Sequence, residues 1–81
     1  MHLKSAKRTF IFKHKDTDDI MEITNHQSSI YNAIDAAKAS MANADERLSN
    51  YTLEDAIMIN GINKKESILD KTKSVMNIEV S

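Results

Sequence analysis

The sequence predicts an α+β fold in which a two- or three-stranded antiparallel sheet packs against one long amphipathic helix, with one or two short helices beside it. Three observations carry this expectation. Residues 7–14 are rich in aromatic and β-branched side chains and alternate at period two, residues 20–24 form a second short alternating run, and from Ser28 the apolar spacing changes to three and four.

In the first run Phe10 and Phe12 share a face with Arg8 and His14, while Thr9, Ile11 and Lys13 share the other. The second run places Met21 and Ile23 on one face, with Ile20, Glu22 and Thr24 on the opposite one. The polar stretch from Lys15 to Asp19 lies between them, so the pair reads as an antiparallel hairpin with Phe10, Phe12, Met21 and Ile23 facing the core. Ile11 and Ile20 then fall on the more exposed side.

The next segment carries Ile30, Ile34, Ala37, Met41, Ala44 and Leu48 at helical spacing, and its many alanines favour helix. Ser28 or Ser29 can cap the start and Ser49-Asn50 can end it, giving a helix of about 20 residues by this pattern. Its small side chains let it sit low over Phe10 and Phe12, or against its own copy along an a/d-type seam. After it, Thr52 with Asp55 three residues on resembles a capping box, which predicts a short helix through Leu53, Ala56, Ile57 and Met58 ending at Asn60-Gly61. Asn-Gly is also a hairpin turn, so residues 56–59 could instead form a strand turning into Ile62. Asn63 and Glu66 repeat the capping pattern and predict a helix over 64–73, and the alternation of Met76, Ile78 and Val80 predicts a closing strand over 74–80.

An 81-residue chain has room for one domain, taken as residues 1–81, and one core. The margin of stability in such a domain is thin, and self-association into a homodimer would add buried area. Cysteine is absent, which excludes disulfides, a thiolate nucleophile and cysteine-based metal sites. The apolar run after the first basic residues is Phe10-Ile11-Phe12, too short for a signal segment or a membrane helix, so a soluble, cytoplasmic protein without membrane association is expected.

Catalytic and cofactor signatures are missing. One glycine cannot build a phosphate-binding loop, and the stretch from Asp16 to Ile20 lacks the glycine at position six and the acid at position twelve of a calcium loop. The three histidines, His2, His14 and His26, fit no helical metal-ligand spacing, although His14 and His26 could meet beside Asp16 or Asp18 if they shared one end of the hairpin. No enzyme, cofactor or metal is therefore expected.

These readings point to a small protein that binds another protein, as a regulator, inhibitor or accessory subunit. The expected interface is a mixed apolar and acidic surface from Asp45, Glu46, Tyr51, Glu54, Asp55 and Met58. A phage- or mobile-element-type accessory role is compatible with so compact a chain. The rival reading is a DNA- or RNA-binding module. It would use Lys4, Lys7, Arg8, Lys13 and Lys15 of the N-terminal strand region, with Phe12 or His14 for stacking, or a helix-turn-helix around Gly61 bearing Lys64 and Lys65. Acids at 16–22 answer the basic arm across the hairpin, and the chain carries a formal net charge of −1, which weakens that reading.

Overall fold

The computed structural model describes residues 6–60 and 64–76. Strand β1 (Lys7–His14) and strand β2 (Ile20–Asn25) are followed by helix α1 (Ile30–Asn43), a 3-10 turn (Leu48–Asn50), strands β3 (Tyr51–Asn60) and β4 (Lys64–Ser67), and helix α2 (Leu69–Met76). The strands form one antiparallel sheet in the order β2-β1-β3-β4. The chain is thus two successive ββα units whose first strands, β1 and β3, lie side by side at the centre.

The α+β class and the hairpin of residues 7–25 agree with the sequence pattern. Phe10 and Phe12 are buried, and Met21 and Ile23 pack half-buried against them. Between β1 and β2, Asp18 N donates to His14 O and His14 N donates to Asp19 O, with Asp18 at φ 63°. Two residues thus oppose one, a bulge whose left-handed position is usually glycine and is here filled by an aspartate.

Helix α1 starts where Ser29 Oγ accepts from Asn32 N at 3.1 Å. It buries Ala33, Ile34, Ala37 and Met41. It stops at Asn43, five residues before the expected Leu48. Asp45 N donates to Ala42 O and Glu46 N to Met41 O, with Asp45 at φ 58°. This is a Schellman ending, and it needs no glycine because aspartate tolerates the left-handed region. Ala44 is exposed and Leu48 belongs to the 3-10 turn, so neither extends the helical stripe.

The short helix expected through residues 53–58 is strand β3. The local capping pattern at Thr52 loses to the pairing with β1, which bonds the backbone groups of the segment that face it and buries Leu53 and Ala56 against Phe12 and Phe10. The strand alternative at Asn60-Gly61 is the correct one, since β3 pairs antiparallel with β4; residues 61–63 lie outside the described set. The helix expected over 64–73 starts later, at Leu69, because Lys64–Ser67 completes the sheet as β4. Val75 and Met76, assigned to a closing strand, belong to α2, and the remainder of that expected strand lies outside the described residues.

Both helices cover the same side of the sheet. The core joins Phe10, Phe12, Leu53 and Ala56 from the strands to Ala33, Ile34, Ala37 and Met41 from α1, with Ile68, Leu69, Val75 and Met76 packed around it. Two fully buried phenylalanines contribute roughly 2–3 kcal/mol each by area. The completely enclosed alanines Ala33 and Ala56 show that helix and sheet approach closely.

Candidate interaction surface

Strand alternation sends Arg8, Phe10 and Phe12 toward the helices, so their neighbours form the outer side of the sheet. The register fixes its rows. At one end Lys7, Ile59 and Lys65 lie side by side; next come Thr24, Thr9, Ile57 and Ser67; then Glu22, Ile11 and Asp55; and at the far end Ile20, Lys13 and Thr52. Among the described residues no element covers this side. Ile11, Ile57 and Ile59 are half-buried by their neighbours, whereas Ile20 is 60% exposed. The hydroxyls of Thr9 and Thr24 are hydrogen-bonded at 2.9 Å. The surface thus carries an isoleucine stripe, a basic row at one end and an acidic pair, Glu22 and Asp55, flanking Ile11.

The acidic patch expected around the supposed short helix does not form as one surface, because Tyr51, Glu54, Asp55 and Met58 sit on strand β3. Asp55 lies on the outer side, where its Oδ1 accepts from Ala56 N, while Met58 points to the helix side opposite Arg8 and Glu66. Glu54 is the extra residue at the break in register between Ile11 and Phe12, and it accepts from the Thr52 hydroxyl at 2.9 Å. Asp45 forms the end of α1. Glu46 and Tyr51 do meet, with the Tyr51 hydroxyl donating to Glu46 Oε2. That bond, together with partial burial and the negative charges of Glu46 and Asp19, raises the Tyr51 pKa above its ordinary value. Tyr51 also meets the edges of Phe12 and His14, at centroid distances of 6.4 and 5.0 Å.

The basic stripe of the rival reading is likewise divided. Lys7, Lys13 and Lys65 reach the outer side, and Lys13 is 3.5 Å from Asp18 in an exposed ion pair. Arg8 is buried on the helix side, where its guanidinium donates to Gln27 O at 2.7 Å and anchors the connection from β2 to α1. Lys15 sits in the first turn, Lys64 lies at the start of the edge strand β4, and Lys4 falls outside the described residues. Phe12 is buried and cannot stack on a base, and the helix-turn-helix around Gly61 is replaced by the β3–β4 pair.

His14 and His26 occupy opposite ends of the hairpin, since His14 precedes the turn and His26 follows Asn25, the partner of Arg8. His14 Nδ1 accepts from Asp16 N. Among the described residues no group of three or more His, Cys, Asp or Glu side chains is arranged to hold a metal. An open cleft of about 650 Å³ lies among Lys15, Leu48, Tyr51, Leu53, Glu54 and Lys73, and its lining includes no histidine. No helix in the described residues is long and apolar enough to cross a membrane.

Comparison with protein-family models, with curated proteins and with solved structures finds no match to this chain.

Proposed function

We propose that this chain is a non-catalytic binding protein, a small regulator, inhibitor or accessory subunit that presents the outer side of its sheet to another protein. The observation that carries this reading is the unequal treatment of the two sheet faces: one is sealed by both helices, while the other holds the isoleucine stripe between opposite charges. An apolar centre with a charged rim is the composition of a protein interface. The fitting partner is acidic where Lys7 and Lys65 flank Ile59, and basic where Glu22 and Asp55 flank Ile11. The absence of cysteine is in keeping with work in a reducing compartment such as the cytoplasm.

The experiment is affinity capture from nuclease-treated native lysate, followed by titration of the purified captured protein against the wild type and Ile57→Glu. A glutamate in the stripe should weaken binding about tenfold or more, whereas Lys38→Glu on the exposed side of α1 should leave it unchanged. Equal affinity for wild type and Ile57→Glu would overturn the assignment of this face.

The basic row Lys7, Lys65 supports a second reading, nucleic-acid binding, because both lysines lie on the same uncovered side. It requires affinity for unrelated duplexes or single strands that falls steeply with salt and is weakened by Lys7→Ala with Lys65→Ala. The carboxylates of Glu22 and Asp55 on that side oppose it.

A further inference from the structure

The two edges of the sheet are unlike each other. Edge strand β4 has four residues, of which Lys64, Lys65 and Glu66 are charged, the pattern that discourages strand addition. Edge strand β2 has six residues, Ile20-Met21-Glu22-Ile23-Thr24-Asn25, with one charge and no proline. The donor and acceptor pattern of β2 follows from the turn. His14 N bonds to Asp19 O, so by antiparallel alternation Met21, Ile23 and Asn25 direct their backbone groups at β1. Ile20, Glu22 and Thr24 therefore direct theirs away from the sheet. Lys15 N bonding to Asn50 O on the β3 side of β1 fits the same phase. Among the described residues no strand meets these groups. Among the described residues the two large hydrophobic side chains left most exposed, Ile20 at 60% and Tyr31 at 62%, both belong to this flank: Ile20 to β2, and Tyr31 to α1, which packs on β2.

We infer that β2 pairs antiparallel with β2 of a second copy, joining two four-stranded sheets into one of eight strands. A free strand edge is satisfied by an extended backbone, and this edge is complementary to itself. A two-fold axis through Ile23 sets Ile23 opposite its own copy, Met21 opposite Asn25, and Glu22 opposite Thr24, so that no like charges meet. Centring the pair on Glu22 instead would stack two carboxylates, which is unfavourable. In the Ile23 register the groups of Glu22 and Thr24 bond across the junction, both copies of α1 lie on the same side of it, and the outer isoleucine stripes run on as one surface. The dimer does not depend on what occupies that outer surface.

Sedimentation equilibrium and light scattering test this on the full chain. The wild type should have twice the 9.2 kDa chain mass at submillimolar concentration. Glu22→Pro removes an amide that points away from β1 and so spares the hairpin ladder, as edge prolines do. It should raise the dimer dissociation constant about tenfold or more while circular dichroism stays unchanged. Because the sequence lacks cysteine, Ile23→Cys carries a single thiol. Opposed non-hydrogen-bonded residues stand about 4.5 Å apart between Cα atoms, within disulfide reach, so mild oxidation should give a covalent dimer. Ile20→Cys, which has no symmetric partner in this register, should not. A wild type that remains at the mass of one chain, a dimer indifferent to Glu22→Pro, or equal cross-linking of both cysteines would overturn the inference.

Discussion

The Tyr51 hydroxyl donates to Glu46 Oε2, tying the first residue of β3 back to the chain that leaves α1. Tyr51→Phe removes the donor and leaves the ring against Phe12 and His14. It should lower the urea midpoint at neutral pH, because the bond to Glu46 is lost. Because the folded-state pKa is raised, the protonated phenol is favoured in the native protein. The associated stability is fully present below the ordinary tyrosine pKa and is lost as pH rises through the higher folded value. In a Tyr31→Phe background the ultraviolet titration of Tyr51 should have its midpoint above 10, and Glu46→Gln should lower that midpoint.

Asp45 occupies the left-handed position that closes α1. Asp45→Gly relieves the side-chain crowding of that conformation and should stabilise the protein by about 1 kcal/mol, seen as a higher urea midpoint. Asp45→Val should destabilise it, because a β-branched residue tolerates this conformation poorly.

Ala56 is completely enclosed beside Phe10 and the helices. Ala56→Leu has no room to expand and should cost roughly 1–3 kcal/mol. Phe10→Ala opens a cavity in the same cluster and should cost roughly 3–5 kcal/mol, a large share of the stability of a domain this small. Chemical denaturation of both variants checks the pair, and the Phe10 variant should show the larger fall.

The side chain of Ser29 satisfies an otherwise unpaired amide at the start of α1. Ser29→Ala should cost about 1 kcal/mol, whereas Ser29→Asp should retain most of the stability because its carboxylate can accept the same bond. Thermal unfolding followed by circular dichroism distinguishes the two.

The outer isoleucine stripe was half legible from residue order. Ile11 and Ile20 fall on the exposed side of the first hairpin by simple alternation. Ile57 and Ile59 could not be added, because the capping pattern at Thr52 favoured a helix, and a helix would have turned them elsewhere. The cluster of Asp55 and Met58 failed for the same reason, since residues three apart share a helix face but lie on opposite faces of a strand. Only Tyr51 and Glu46 of the expected acidic surface are brought together by a bond, and their contact depends on where α1 ends.

Local pattern alone determined the α+β class, the hairpin with Phe10 and Phe12 inside, and the buried face of α1, because each is a periodicity contained within one segment and backed by strong propensity. Tertiary structure decided that residues 51–60 extend and pair with β1, that 64–67 form an edge strand, and that Asp45 closes α1. In those segments local preferences are nearly balanced. A ladder of hydrogen bonds to a strand some forty residues away, together with burial of Leu53 and Ala56, outweighs a capping signal worth about 1 kcal/mol.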